Sequence, residues 1–449
     1  MTEQRTDRVA LPGAFHRIWA ASAVSSLGDG VYYSALPLLA LTLTRDSTVF
    51  GIMEAVTLLP WLLFGLIGGA LVDRWDRRRT MVAVDLCRCA LLVAAAVAVA
   101  AGLLDIAVLI AIGFLLGIGG VLFDTASTAY VPELLGRGTQ DLHRANSRLQ
   151  AAQRACGGFI GPPVGSLLFA LGRTVPFVAD AASFLFSSLT IRTLPATPRK
   201  AAKPKTLILK DAWAGASYLI HHRLLLGLSL RPAVGNFAFA GTGAVLALYA
   251  HETLHLGTAG YGVFLTTEAV GGLAGTLAAG WLGARLGTGG ALTLTAGVEA
   301  AALLGIGGSP NAYLAGIGLA ALGAAMGATM TLGPSVRQAI VPDELMGRVT
   351  AASRLTAMSA GPVGALFGGW LGHAAGLRAP FLTGAGILVL MTALAARLTS
   401  NRRIDAALAE AARTRQEPDP VATPTTTTET ATTTETATEA ATETATTAV

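Results

Sequence analysis

The sequence predicts an all-α polytopic membrane protein with twelve transmembrane helices arranged as two parallel six-helix repeats. Three observations lead there. Long apolar blocks alternate with short charged segments, Arg and Lys gather in the connections of one side, and motifs recur at a spacing near 210 residues.

Of the 449 residues, 53% are hydrophobic and 13% charged. A soluble domain carries roughly 25% charged residues, so the apolar blocks overrule a reading as several soluble domains. A count of 53 Gly suits helices that approach closely. The net charge of +5 would suggest a nucleic-acid partner in a soluble chain. Here the one-sided loops explain the excess, and no nucleic acid is expected. Cys87, Cys89 and Cys156 lie inside apolar blocks and form neither a disulfide framework nor a metal-ligand spacing. Arg5, Arg8 and Arg17 precede the first apolar run without a small-residue cleavage site, so that run is expected to be retained as a span.

A helix needs roughly 20 apolar residues to cross the hydrocarbon core. In order, the expected spans are 15–43, 48–72, 80–103, 105–131, 147–172 and 174–194. A second set follows at 224–250, 258–284, 289–307, 311–336, 349–373 and 379–399. Arg74, Arg77, Arg78, Arg79, Arg137, Arg144 and Arg148 fall on one side, with the Lys-rich 195–223 segment, Arg285, Arg337, Arg348, Arg402 and Arg403. The opposite side has scattered charges such as Arg45, Asp46, Asp105, Arg173 and Arg378. By the positive-inside rule both termini are cytoplasmic, which requires an even number of spans in the cell (inner) membrane.

VPELL at Val131 returns as VPDEL at Val341. Gly51 aligns with Gly262, Gly69 with Gly280 and Arg74 with Arg285, while GPPVG at Gly161 matches GPVGA at Gly361. A repeat unit of six spans keeps both halves in the same orientation. The expected organisation is an N-terminal bundle over 1–194, a cytoplasmic linker over 195–223, a C-terminal bundle over 224–399 and a disordered tail over 400–449. Within the linker, Leu207 to Tyr218 is amphipathic enough to lie on the membrane surface. From Pro418 the chain is Thr, Glu and Ala, which cannot bury a core.

After the second span comes GGALVDRWDRRR, Gly68 to Arg79. Its glycines allow close helix contact, Asp73 can meet a helix N-terminus or a neighbouring Arg, and the Arg cluster stays outside the bilayer. This segment resembles the signature loop between helices 2 and 3 of the major facilitator superfamily. The resemblance implies the major facilitator fold and a conformational latch built from Gly69, Asp73, Arg74 and Arg78. Asp124, near the inner end of helix 4, is expected to join that latch with Asp73, with a proton carrier as the alternative. The second copy keeps Arg285 but has Ala284 in place of Asp73, so its latch is degenerate. The stretch from Phe123 through Pro132 to Asn146, the GPPVG motif and the region from Tyr218 to Asn236 resemble the macrolide-efflux and enterobactin-exporter branch of drug/proton antiporters. The chain departs from that branch at Thr125, where Pro is frequent.

An acid at a helix centre costs about 2.5–3.5 kcal/mol on insertion scales, so each marks a candidate site. Asp29 sits mid-span between Gly28 and Gly30, where small neighbours admit water or substrate. It is a candidate proton carrier, with a hydrogen-bonded structural acid as the alternative; some antiporters of the superfamily likewise rely on an acid in helix 1. Glu54, Glu268 and Glu299 are further candidates for the cavity, each able instead to pair with a hydroxyl or an Arg. Asp85 and Arg88, three apart on one helix face, are expected to pair with each other. Asp180 is expected as a structural acid near the outer surface, and Arg154 as a balancing charge. Asn236 is expected to hydrogen-bond either substrate or another helix. Gly161 and Pro162, with Gly361 and Pro362, are expected to interrupt helices 5 and 11 and to serve rocking between two states.

No GxxxxGK[ST] loop, clustered metal set or Ser-His-Asp arrangement is visible, so neither an ATP-driven pump, an enzyme nor a cofactor protein is expected. The expectation is a monomeric secondary transporter that exports an amphipathic small molecule, an antibiotic, macrolide-like drug or siderophore, against protons. Its central chamber would be lined mainly by Ala, Gly, Leu, Phe and Trp. Two rivals are an importer of a small metabolite and a non-transporting membrane sensor. A sugar or anion carrier would show more Asn, Gln or Arg in its cavity than the sequence displays.

Overall fold

Backbone polar groups inside a bilayer must be satisfied within the protein, and a helix does this within one segment. The computed structural model describes residues 12–72, 75–135, 139–195, 216–396 and 398–416. The first apolar runs form α1 (Gly13–Leu43), α2 (Ser47–Val72), α3 (Arg77–Ala100) and α4 (Ile106–Leu135). Next come α5 (Thr139–Gln153) and α6 (Gly161–Leu171), joined into one crossing by a π-helical stretch over Arg154–Ile160, and then α7 (Val175–Arg192). The second set is α8 (Arg223–Leu248), α9 (Thr258–Gly308), α10 (Ala312–Ile340), α11 (Asp343–Ala375) and α12 (Ala379–Ala396), followed by the amphipathic α13 (Asn401–Gln416). No strand occurs among the described residues.

Nine helices among the described residues are long and apolar enough to cross a membrane. One of them, α9, has 51 residues and folds back at Gly287, whose φ of 72° only glycine adopts easily, so it makes two crossings. The Asn401 side chain holds this bend. Its Oδ1 accepts from the amides of Gly289 at 2.8 Å and Gly290 at 3.1 Å, while its Nδ2 donates to the Leu286 carbonyl at 2.8 Å. With α1 and α11, whose polar residues dilute their hydropathy, the described chain makes twelve passes.

The burial pattern is inverted relative to a soluble protein. Large apolar side chains such as Leu103, Leu171, Leu277 and Leu390 face outward, whereas Asp85, Arg88, Asp180 and Glu299 are buried. An exposed apolar belt of this kind is a lipid-facing surface. Within the first six passes α1 packs on α6 and α7, α3 lies between α4 and α7, and α2 packs on α4. Within the second six, α9 packs on α10 and α12, and α8 packs on α11 and α12. The two bundles meet through α2 with α11 and through α6 with α9.

Chain entry and exit share one end, the Arg-rich one. There Arg17 Nη1 donates to the Thr193 carbonyl at 2.8 Å, and Asn401 meets the Gly287 bend. At the other end the bundles are pinned together. Ser47 Oγ donates to the Gly369 carbonyl at 3.0 Å, and a methyl placed on Gly51 would lie 2.7 Å from the Ala365 carbonyl oxygen. Asp46 meets His373 at 3.2 Å and Arg45 meets Glu252 at 3.7 Å across the same joint.

Three expectations change. The segment 400–449 is not structureless throughout, because α13 occupies Asn401–Gln416 and buries Ile404 in the apolar cluster that also holds Leu224 and Val336. Pro362 does not interrupt its helix; α11 runs unbroken through Gly361 and Pro362. In the fifth crossing the irregularity is the π-helical stretch, which ends just before Gly161 and Pro162. Most of the amphipathic stretch from Leu207, and the tail from residue 417, lie outside the described residues.

Candidate functional site

In the N-terminal bundle one guanidinium pairs with two carboxylates, Asp29 and Asp85, and has a third, Asp180, as an electrostatic neighbour. Arg88, on α3 and 6% exposed, forms a close ion pair with Asp29 of α1. Its other terminal nitrogen lies 4.0 Å from Asp85, one turn earlier on the same helix. The guanidinium carbon sits 3.9 Å above the Phe184 ring centroid, a cation–π contact from α7. The Asp29 side chain is 46% exposed, whereas Asp85 is 0% and Asp180 1% exposed. Asp180 of α7 accepts from Ser183 Oγ at 3.1 Å, and Asp180 and Ser183 fill the space beside Gly28 that a side chain there would take. Gly119 of α4 makes the corresponding room for Arg88, since a methyl there would lie 2.8 Å from the Arg88 stem. Asp85 has both carboxylate oxygens buried without a hydrogen-bond partner, and the Tyr32 hydroxyl is in the same state.

Two expectations are therefore corrected. Asp85 and Arg88 are not primarily a mutual pair, because Asp29 is the nearer partner. Asp180 is not at the outer surface but inside the bundle, behind Asp29. Asp124 of α4, expected in the latch, has Asp29, Arg88 and Arg354 as its charged neighbours, which turns it toward this cluster.

A cavity of about 750 Å³ opens between the bundles. It runs from Tyr33 and Glu268 at mid-depth to Arg154 and Thr276 on the Arg-rich side, along the π-helical stretch and α10. Glu54 of α2 and Glu268 of α9 approach from opposite bundles, each within electrostatic reach of Tyr33 and Tyr261. Close packing of α9 on α10 leaves no space for a side chain at Gly323 or Gly327 and shapes one wall.

A second cavity of about 250 Å³ lies inside the C-terminal bundle. Glu299, 7% exposed, lines it and accepts from Thr329 Oγ at 3.4 Å. Asn236 also lines it, with its Nδ2 donating to the Ala357 carbonyl of α11 at 2.9 Å, so it binds another helix. Arg231, Arg337 and Arg354 share this lining. Sequence reasoning missed them as a group: they belong to three helices, and Arg337 was counted among the loop charges.

Of the latch residues, Asp73 and Arg74 lie outside the described residues, and Gly69 is within α2. Arg78 Nη1 donates to the Leu194 carbonyl at 2.7 Å, tying α3 to the end of α7 within one bundle. Arg77 pairs with Glu133 of α4. Gly161 packs backbone to backbone on Gly30 of α1, in a GxxxG pattern with Gly157. Among the described residues no group of three His, Cys, Asp or Glu could hold a metal.

The comparisons with known proteins agree with this architecture. The chain is 29% identical over 400 residues to the multidrug efflux pump Tap of Mycolicibacterium fortuitum, covering 86% of this chain and 96% of that one. It is 22% identical over 238 residues to macrolide efflux protein A of Streptococcus pyogenes, covering 52% and 58%. Among solved structures, the nucleoside transporter NupG matches with a TM-score of 0.71 at 13% identity, over 86% of this chain and 99% of that one. A bacterial homologue of the iron transporter ferroportin, in an inward-facing state, matches with a TM-score of 0.68 at 16% identity, over 86% and 98%. The profile of the transmembrane secretion effector family covers residues 11–430. With that match spanning nearly the whole chain, and two six-helix bundles beneath it, the protein belongs to the transmembrane secretion effector family of the major facilitator superfamily.

Proposed function

We propose that the chain is a secondary active exporter of an amphipathic small molecule, driven by proton antiport and alternating access. The observation that carries this reading is the Asp29–Arg88 pair: a half-exposed carboxylate held by a buried guanidinium that has a second carboxylate 4.0 Å away. A proton arriving on Asp29 removes its charge, frees Arg88 to turn to Asp85, and loosens α1 from α3. Losing that proton restores the pair. Inward movement of one charge down about 100 mV releases about 2.3 kcal/mol, equivalent to a roughly fifty-fold substrate gradient.

In this reading the Arg-rich end is cytoplasmic, both termini lie there, and the protein sits as a monomer in the cell (inner) membrane. The large cavity then opens inward while the joint at Gly51 and Gly369 seals the outside. The two bundles, taken as 1–194 and 224–399 about a linker at 195–223, would rock around it. Glu54 and Glu268 face the substrate, and Gly69, Asp73, Arg74 and Arg78 latch the opposite state. The efflux pumps among its relatives support export over import. Accumulation of erythromycin and tetracycline in cells expressing wild type or Asp29→Asn tests this. Wild type should lower accumulation severalfold, and the variant should lose most of that effect. A wild type without effect on any antibiotic or siderophore tried would overturn export, and an unimpaired variant would overturn coupling at Asp29.

A further inference from the structure

We propose that the cavity inside the C-terminal bundle seats the acidic head of an amphipathic anion, a carboxylate, sulfonate or phosphate carried on an apolar body. The inference rests on the export reading and adds amphipathic anions to the substrates it covers.

Three guanidinium groups line this cavity with one carboxylate, Glu299, which lies within electrostatic reach of Arg231 but at no ion-pair distance among the described residues, while Arg354 also neighbours Asp124 of the other bundle. Arg231 Nη2 and Arg337 Nε are buried without a hydrogen-bond partner. Their other contacts are few. Arg337 Nη1 donates to Ser353 Oγ at 2.7 Å, and Arg231 Nη1 reaches Thr399 Oγ1 only at 3.5 Å. A charged donor buried without an acceptor is among the costlier arrangements in a protein, and more so at membrane depth. Guanidinium forks match the planar, two-oxygen geometry of a carboxylate or the oxygens of a phosphate, so an anionic head is the ligand that would satisfy both. Asn236, Thr329, Thr350 and Ser353 add polar groups, and apolar side chains such as Phe239, Leu303, Met326 and Met330 make up much of the remaining lining. Methionines adapt to varied apolar shapes.

Met326 and Met330 also line the cavity between the bundles, so the seat adjoins the pathway. The arrangement separates the chemistry by bundle. Carboxylates that can carry protons gather around Arg88, and the free guanidinium donors gather opposite. An anion and a proton can then be handled without competing for one group.

Equilibrium binding to purified protein in nanodiscs tests this, with tritiated 1-naphthaleneacetate as probe and the uncharged 1-naphthaleneacetamide as its matched control. The acid should bind at least roughly tenfold more tightly than the amide, as a charge-assisted bidentate contact implies. Arg231→Gln and Arg337→Gln should each abolish that preference while leaving amide binding and monodispersity unchanged. Arg231→Lys should keep part of it, and Glu299→Gln should tighten the acid. Equal binding of acid and amide, or a preference untouched by both Gln variants, overturns the proposal. So does failure of the naphthalene carboxylate, sulfonate and phosphate all to bind. Because no gradient is used, a chain that prefers the acid yet exports nothing contradicts only the export reading. One that exports but binds acid and amide alike contradicts only the anion seat.

Discussion

Replacing Arg88 by Met keeps most of its volume but leaves Asp29, Asp85 and Asp180 with no cation among them. Removing one partner from a buried charge network typically costs about 3–5 kcal/mol. Arg88→Met should therefore lower the thermal midpoint of the purified protein well below that of Arg88→Lys, and Arg88→Met with Asp85→Leu should recover part of the loss. An unchanged midpoint in Arg88→Met would show that the cluster contributes nothing to stability. At this scale the sequence was partly legible. Asp29 stood out because Gly28 and Gly30 flank an acid in an apolar run. Asp180 did not, because its place beside Gly28 depends on how α7 packs on α1, which no local spacing reports. The same holds for Arg231 and Arg337, whose meeting depends on the crossing of α8 and α10.

Helix ends and crossings set the behaviour of whole elements. Asp46 caps α2, its Oδ1 accepting from the Thr48 amide at 2.8 Å. That hydrogen bond holds the Asp46 carboxyl below its ordinary range against an opposing effect of burial, with His373 adding a lesser lowering. A carboxylate whose pKa is lower folded than unfolded stabilises fully above the unfolded value of about 3.9 and loses this as pH falls through the folded value. Asp46→Ala should cost about 1 kcal/mol at neutral pH. The gap in thermal midpoint between variant and wild type should close as the pH falls below about 3.9; a gap that widens there would contradict the assignment. Gly51 governs the joint with α11, where a methyl already meets backbone at 2.7 Å. Gly51→Leu should hold that joint open. A cysteine at Ala55, buried behind the joint in a cluster with Ala365, should then react severalfold faster with an impermeant maleimide from the Arg-poor side in a chain freed of Cys87, Cys89 and Cys156; an unchanged rate would place the closure elsewhere. Helix positions were legible from apolar run lengths to within a few residues at most ends. The starts of α5 and α11 and the survival of α13 were not, because those segments are polar and are set by contact with neighbours.

At the scale of the whole molecule, the duplicated motifs at Val131 and Val341 and the one-sided Arg pattern are enough to predict two like-oriented bundles. They do not reveal how differently the bundles are furnished: carboxylates around Arg88 in one, guanidinium groups around a cavity in the other. That asymmetry is what makes a coupled exchange physically reasonable on a nearly symmetric frame. The central claim, coupling of export to protons through Asp29, is tested most directly in everted membrane vesicles given a proton gradient, acid inside. Vesicles containing the wild type should accumulate labelled erythromycin or tetracycline only while the gradient lasts, release it when an uncoupler is added, and accumulate none when they contain Asp29→Asn. Accumulation that survives the uncoupler, or equals wild type in Asp29→Asn, would contradict the account.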